Sequence, residues 1–327
     1  MMTWDVVLAG SGPSGAVAAH LLAKEGLRVL VVDRVDETKL KVGDVLPGAA
    51  CRLLRSLELN TPEVSGAHKK IHGSLSSWET SGLVGSDAIY SLDGPSWRLD
   101  RARFDADFRA AAKSSGAAFR IAQVRRIDRR KECSFLELDD GTRVSTRWVV
   151  DATGRRSVLA RSLGAKRIYD SVLVAIYAYS KDAAPQPRSQ RSVIEATEDG
   201  WWYCAYLPSG LAVAGIHVRP GNAARLRGVL EWQRAWNLAP MEAGGARLEP
   251  LHGNGWLACG DAALSFDPLS SQGLLTALYS GKLASDFISQ QLKGKGDDSY
   301  RFELMNVWRI YSARVKAFYS TCAYQWV

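Results

Sequence analysis

A glycine-punctuated stretch near the start of the chain constrains the fold more than any other feature. Between Trp4 and Asp33 a short apolar run, Val6 to Ala9, ends in Gly10, Ser11, Gly12, Pro13, Ser14 and Gly15. An alanine- and leucine-rich helical stretch follows, and a second apolar run, Val29 to Val32, stops at Asp33. Strand, tight turn, helix, strand and terminal acid in this order make a dinucleotide-binding unit. Gly10 permits the sharp turn, Gly12 removes a side chain where backbone must approach a pyrophosphate, and Gly15 lets the helix sit close to the sheet. The pyrophosphate meets unpaired amides at the helix start. Asp33 is placed to accept hydrogen bonds from a ribose hydroxyl, which argues against a 2′-phosphorylated cofactor. A bare glycine motif is weak; here both strands, the helix and the acid stand in register around it.

The remaining composition narrows the class. The 327 residues are 46% hydrophobic and 23% charged, which suits a globular chain with a substantial core in one large or two closely joined domains. The glycines lie too close to the start for a cleaved signal peptide to precede them, and no apolar run is long enough for a membrane span. Cysteines at 51, 133, 204, 259 and 322 form no CxxC pair, and the five histidines form no ligand motif. Reduced thiols in a cytoplasmic protein, without a metal, are the expectation. The net charge of +8 is spread widely. Only RRIDRRK at 125–131 clusters, and acids follow it as on a solvated hairpin, so nucleic acid is not an expected partner.

Along the chain, a helix is expected near 48–58 with Leu53, Leu54 and Leu57 inward. Lys39, Lys41 and Asp44, just before it, stand either beside a bound cofactor or in a solvated loop. Residues 68–97 read as short strand-like pieces, the first part of an antiparallel sheet. Asp100 is the expected N-cap of the following helix. Arg101 sits at its first turn, where a cation gains nothing from the helix dipole, so it is either a binding residue or decoration. Residues 118–150 alternate as three strands, with Asp139-Asp140-Gly141 as a hairpin turn, and the last strand enters Asp151-Ala152-Thr153-Gly154-Arg155, a second glycine turn at a strand end. A second antiparallel section runs from Ser171 to about Arg219, with a loop around Pro185 and Pro187. Its Trp201, Trp202, Tyr203 and Tyr206 supply either a pocket wall or ordinary sheet packing; adjacent Trp201 and Trp202 cannot share a face of a regular strand. A helix over 223–236 carries Trp232 and Trp236. A buried strand at 256–259 runs into Gly260-Asp261, and the amides of Leu269 through Leu274 are expected to be open to a ligand before a long helix. A terminal helix begins near Ser299, with a stripe of Tyr300, Leu304, Val307, Tyr311, Val315, Phe318 and Cys322.

Four separated motifs carry a family resemblance: GSGPSG at 10–15, LDRARFD at 99–105, DATGR at 151–155 and GDAALSFDPLSSQG at 260–273. Together they resemble the para-hydroxybenzoate hydroxylase-like superfamily of flavoproteins. The resemblance implies FAD as cofactor. It also implies an α/β fold: a Rossmann-like FAD-binding domain of glutathione reductase type, with an inserted antiparallel-sheet substrate domain and C-terminal helices. Residues 1–67, 98–170 and 248–327 would form the FAD-binding domain, and 68–97 with 171–247 the substrate domain. The implied cofactor-binding set is Gly10, Gly12, Pro13, Ser14, Gly15, Asp33, Arg34, Arg101, Gly154, Gly260, Asp261, Pro268, Ser271, Gly273 and Leu274. Asp33 stands where the family more often has glutamate, which keeps the acceptor with a shorter reach.

DGWWYCAYLP at 199–208 with FDPLSSQG at 266–273 most resembles the branch that holds tryptophan halogenases, geranylgeranyl reductases and LodB-like proteins; the terminal RVKAFYSTCAYQW also resembles the last group. Halogenases carry WxWxIP, whereas this chain has Trp201-Trp202-Tyr203 and Leu207-Pro208, and neither Lys69 nor Lys70 is fixed by its surroundings as a halogenase-like lysine. The resemblance therefore implies an FAD-dependent monooxygenase that hydroxylates an aromatic substrate. The leading expectation is a tryptophan side chain of a partner oxidase or dehydrogenase precursor, during biogenesis of a protein-derived quinone cofactor. The alternatives are a small-molecule aromatic monooxygenase, a flavin-dependent halogenase, a geranylgeranyl-reductase-like oxidoreductase and a non-enzymatic FAD-binding maturation chaperone. Molecular oxygen and an external reductant, NAD(P)H or a flavin reductase, complete the expected chemistry. Trp201, Trp202, Tyr203 and Tyr206 are the pocket candidates, and no acid or base is assigned; His72 and His217 stand either as a base or, as the favoured reading, as neutral, satisfied histidines on the sheet.

Overall fold

The computed structural model describes residues 3–34, 41–80, 82–87, 92–181, 190–220 and 240–324. The helix expected over 223–236, the loop around Pro185 and Pro187, and Lys39 lie outside the described residues.

Strand β1 (Thr3–Ala9) leads through the glycine turn into helix α1 (Pro13–Lys24) and then strand β2 (Val29–Asp33). Helix α2 (Gly48–Ser56) turns Leu54 inward, and strands β3 (Gly73–Ser77) and β4 (Val84–Asp87) follow. Helix α3 (Arg101–Ser114) is capped as its sequence requires: the Asp100 side chain accepts from the Arg103 N–H at 3.0 Å. Next come four strands where the pattern suggested three: β5 (Ala118–Ile121), β6 (Val124–Arg129), β7 (Ser134–Leu138) and β8 (Arg143–Asp151). The expected first strand divides at 122–123. There the Ala122 amide donates to Asp33 and the Gln123 amide turns to the Asp139 carboxylate at 2.8 Å. Strands β9 (Val174–Ser180), β10 (Arg191–Thr197), β11 (Gly200–Tyr206) and β12 (Ala212–Val218) form a second run. Strand β13 (Trp256–Ala258), helix α4 (Gly273–Leu292) and helix α5 (Ser299–Ser320) close the chain.

Among the described residues, eight strands form the first sheet: 252–253, β13, β8, β1, β2 and β5 in order, with the β6–β7 hairpin added on β8. The pairings of β1 with β2 and β8, of β8 with β13, and of β2 with β5 are parallel. A central parallel strand has both faces covered, which is why β1 and β2 are continuous apolar runs. Val6, Val7, Leu8 and Val31 are wholly buried in one core with Leu22 of α1, Ile288 of α4 and Leu304 of α5. The expected stripe on the last helix meets this core through Tyr300, Leu304, Tyr311 and Val315, joined by Trp308, while Phe318 is exposed.

A seven-stranded sheet runs in the order 241–242, β9, β12, β11, β10, β3, β4. Residues 68–97 and 171–219 meet in it, through β3 and β4 on one side and β9 to β12 on the other. The sheet is not wholly antiparallel, because β10 pairs with β3 in parallel. Lys69–Lys70 does not join it and pairs instead with Trp97–Arg98 in a small sheet.

Candidate active site

The ends of the parallel strands and one face of the seven-stranded sheet enclose a cavity of about 750 Å³, within the range of small-molecule and cofactor sites. Its first wall is the glycine turn. Gly10 has φ +106°, and a Cβ there would fall 2.2 Å from the Ala152 carbonyl oxygen. A Cβ at Gly15 would fall 2.1 Å from the Gly10 oxygen, so α1 reaches the strand end only because this residue has no side chain. A Cβ at Gly12 meets nothing within 4 Å, and Gly12, Pro13 and Ser14 all line the cavity. That open approach fits a pyrophosphate at the start of α1. Oδ2 of Asp33 accepts from both the amide and the hydroxyl of Ser11 at 2.6 Å. The acid thus pins the turn with one oxygen, but unlike Gly12, Pro13 and Ser14 it is not among the residues that line the cavity. Arg34 is exposed and does not reach the cavity.

The second wall gathers the other glycine turns. Arg101 lines the cavity but spends its guanidinium locally, on the Val42 carbonyl at 2.5 Å, the Gly43 carbonyl at 2.9 Å and the buried Asp105 carboxylate at 3.2 Å. Lys41 reaches the same carboxylate at 2.7 Å. Gly154 and Arg155 line the cavity after β8. Arg155 bonds the Gly244 carbonyl at 2.7 Å and the Phe266 carbonyl at 2.5 Å, and its Nε lies 3.6 Å from Asp261. Gly260 packs behind the wall, where a Cβ would collide with the Ser14 hydroxyl. Asp261, Pro268, Ser271, Gly273 and Leu274 all face the cavity.

The amides after Pro268 are less open than the sequence suggests. Leu269 donates to the Asp267 carboxylate at 2.9 Å, Ser270 to the Asp267 carbonyl and Ser271 to the Pro268 carbonyl, while Gln272 makes a long bond to the Ser270 hydroxyl. The turn closes on itself because Asp267 caps it. Gly273 and Leu274, in the first turn of α4, remain as amides facing the cavity.

The third wall is aromatic, and strand parity decides its members. Trp201 and Tyr203 point into the cavity; Trp202 lies on the opposite face of β11 against Val174, Ile176, Ile216 and Val218. Tyr206 shares the parity of Trp202 and does not line the cavity. Of the four aromatic candidates, two are therefore brought to the site and two are not.

Tyr177 and His217, from β9 and β12, complete the wall. The Trp201 and His217 rings stack, and His217 Nε2 shares a 2.8 Å hydrogen bond with the Tyr177 hydroxyl. Burial drives the His217 pKa down to about 3, so its imidazole is neutral. His72 is exposed and outside the cavity.

Two further polar groups face the cavity: Asp44, for which the sequence left a place beside a ligand or in a loop, and Asp267, which it did not single out. Asp44 lies 2.5 Å from the buried Arg98 guanidinium and accepts from the Tyr203 hydroxyl at 2.8 Å; Arg98 also bonds the Tyr203 hydroxyl and the Ser192 hydroxyl. Burial raises the Tyr203 pKa well above its ordinary value, which keeps it a neutral donor. Asp267 is 1% exposed, and burial lifts its carboxyl to about 6. The signal for Asp267 was present as an acid directly before a turn-starting proline; nothing local in the sequence pairs Asp44 with Arg98.

A family model described as an FAD binding domain matches residues 3–200, more than half of the chain. The chain belongs to that FAD-binding family. The flavoprotein is thus an FAD-dependent oxidoreductase, and the match points to the para-hydroxybenzoate hydroxylase type of FAD domain in place of the expected glutathione reductase subtype. It is 28% identical over 309 residues to LodB of Marinomonas mediterranea, a protein named as an FAD-dependent oxidoreductase, covering 86% of this chain and 83% of the relative. It is 24% identical over 335 residues to a pyrrole-2-carbonyl carrier-protein brominase of Pseudoalteromonas luteoviolacea, covering 89% and 79%. A flavoprotein/dehydrogenase structure from Cytophaga hutchinsonii superposes with a TM-score of 0.84 at 19% identity, covering 97% of this chain and 86% of the other; at that identity the likeness shows the fold alone. The geranylgeranyl-reductase side of the resemblance gains no support from these relatives. Among the described residues no helix is long and apolar enough to cross a membrane.

Proposed function

We propose that this FAD-dependent oxidoreductase is a monooxygenase of a small aromatic substrate. The observation that carries the reading is the continuity of one cavity from the glycine turn, through the 266–274 segment, to the aromatic wall of Tyr177, Trp201 and Tyr203. FAD, when bound, supplies the two-electron chemistry and the activation of molecular oxygen. Gly12 to Ser14 and Asp33 would hold its nucleotide half, and Asp261 with the 268–274 segment its flavin half. The chain's own part is to orient and shield. Trp201 and Tyr177 give a ring a flat apolar seat, the neutral His217 adds no competing charge, and Tyr203 offers a hydroxyl held in place by Asp44 and Arg98. The amides of Gly273 and Leu274 favour negative charge at the helix start. In this reading residues 68–97 and 171–247 serve as the substrate-holding part, and the electrons come from NAD(P)H or a separate flavin reductase.

Halogenation is less well supported by the geometry. Lys69 and Lys70 are exposed in the small sheet, and no lysine is among the described residues that line the cavity. A partner protein's tryptophan remains a second reading, supported by the relationship to LodB, whose printed name specifies no substrate. Five cysteines without a disulfide fit a reducing compartment, and a cytoplasmic location belongs to the same proposal.

The test is product analysis with FAD, NADH, a flavin reductase and a panel of phenols and indoles, under labelled oxygen gas and with or without bromide. One labelled oxygen atom in a product supports the proposal. A bromide-dependent product, or turnover without oxygen, would sink it. Incorporation only into a co-purifying protein would transfer the activity to the second reading.

A further inference from the structure

Three side chains from distant parts of the sequence meet between the aromatic wall and the turn that follows Asp267. Trp201 donates its indole N–H to the Tyr319 hydroxyl at 3.1 Å, and that hydroxyl donates to Asp267 Oδ2 at 2.8 Å. The chemistry fixes this order. An indole N–H can only donate and a carboxylate can only accept, so the group between them must do both. Asp267 is held from its other sides as well. Its Oδ1 accepts from Leu269, and its own N–H donates to the Tyr311 hydroxyl at 2.9 Å. The turn that presents Pro268 and Ser271 to the cavity is therefore tied to helix α5 at two points, one of which continues to the substrate-facing indole. The Tyr319 ring packs beside Trp78 at 5.7 Å between centroids and belongs to the cluster that holds Trp201 and Leu269. Ring and hydroxyl thus have separable duties.

We propose that Tyr319 is a positioning residue that couples occupancy of the aromatic wall to the shape of the cofactor-facing turn. The proposal rests on the reading of this cavity as a joint FAD and substrate site. An aromatic guest packed on the Trp201 wall favours the form in which the indole N–H, the Tyr319 hydroxyl and Asp267 are joined, as they are in this structure. The ordered hydroxyl then holds Asp267, and through it the 268–271 turn, in the form that receives the flavin ring. Linkage makes the effect reciprocal: a guest that tightens FAD is itself tightened by FAD to the same degree.

The experiment uses the full chain with FAD and, as the aromatic probe, indole, without reductant so that no turnover occurs. The FAD Kd is measured by flavin fluorescence with and without saturating indole, for the wild type, Tyr319→Phe and Asp267→Asn. Phenylalanine keeps the ring and removes the hydroxyl. Asparagine keeps an oxygen for the Leu269 amide but presents an NH2 group to Tyr319. In the wild type, indole is expected to tighten FAD by about fivefold or more, the lower end of ordinary coupling between sites. In both variants the ratio is expected to fall to within about twofold of one, while Tyr319→Phe still folds, with a Tm somewhat below that of the wild type because the Asp267 carboxylate and the Trp201 N–H each lose a partner. A wild-type ratio that persists in Tyr319→Phe, or a wild-type ratio of one, overturns the proposal. Should Tyr319→Phe fail to fold, Asp267→Asn decides by the same ratio. A wild type that binds no FAD at all overturns the site reading itself, so the two failures are distinguishable.

Discussion

The Trp201 indole lies flat on the His217 imidazole, with ring centroids 3.6 Å apart and planes 6° from parallel. Both rings are buried, at 2% and 0% exposure, so protonating His217 would place a charge in an apolar wall. Burial lowers its pKa from 6.5 to about 3. The sign follows from proton counts: between pH 3 and 6.5 the unfolded chain binds the proton and the folded chain does not, so stability is full above pH 6.5 and falls as pH drops through that window. Asp267, lifted from 3.8 to about 6, acts with the opposite sign between those values and offsets part of the loss. Thermal melts from pH 7 to pH 5 should therefore show a smaller acid-induced drop in His217→Gln than in the wild type. The gap should be at most about 1.4 kcal/mol per pH unit. Parallel Tm profiles would show that His217 does not resist protonation.

Gly12 separates cofactor binding from folding. Because a Cβ there meets no protein atom within 4 Å, Gly12→Val should fold with a Tm close to that of the wild type. It should be purified without flavin absorbance, since the new methyls enter the path of the pyrophosphate. Gly10→Val, whose Cβ would run into the Ala152 backbone, should lose the fold together with the flavin. Retained flavin in Gly12→Val would show that the dinucleotide lies elsewhere.

The Asp44–Arg98 pair tests whether the polar side of the cavity is structural. Arg98 is 3% exposed, and its guanidinium is held by Asp44, Tyr203 and Ser192 together. Asp44→Ala leaves a buried cation without its counter-charge and should cost about 3–5 kcal/mol in urea unfolding. Tyr203→Phe removes one donor to the same carboxylate and should cost about 1–3 kcal/mol. Equal, small losses in the two variants would mean that water replaces the missing carboxylate and that the pair is not sealed from solvent.

These residues also show where sequence reasoning reaches. The β1–α1–β2 unit was legible because its strands, turn and helix follow one another within thirty-odd residues, and the close approach of Gly15 to Gly10 is local; the Ala152 carbonyl that excludes a side chain at Gly10 comes from far along the chain. The Asp100 cap and the Asp139–Gly141 turn were legible for the same reason. Strand parity stated that Trp201 and Trp202 must part, yet it could not say which face is the cavity, because that depends on how β10 and β12 pair on either side of β11 and on what the sheet packs against. The parallel pairing of β3 with β10 was hidden because a strand of Gly73, Ser74, Leu75, Ser76 and Ser77 carries no pattern that names its partner. Tyr319 and Trp201 are 118 residues apart in the chain, and Asp44 and Arg98 are 54 apart; only the folded topology brings either pair together.

Gly215 gives the sharpest test of the aromatic wall. A Cβ at this position would fall 2.5 Å from the Tyr177 ring, because Tyr177 and Gly215 are paired across β9 and β12 and the ring lies over the glycine. The missing side chain is what allows the Tyr177 hydroxyl to reach His217. Gly215→Ala must push the ring aside at a cost of about 1–3 kcal/mol, and it should do so without touching the nucleotide half of the cavity. The variant is expected to keep its FAD content while its affinity for indole falls. The control is Gly85→Ala, where the new Cβ finds only ordinary contacts at 3.7 Å with Arg191 and Leu75, and which should retain both. Loss of FAD together with indole in Gly215→Ala would show that the wall supports the whole cavity; unchanged indole affinity would show that Tyr177 is not part of the aromatic seat.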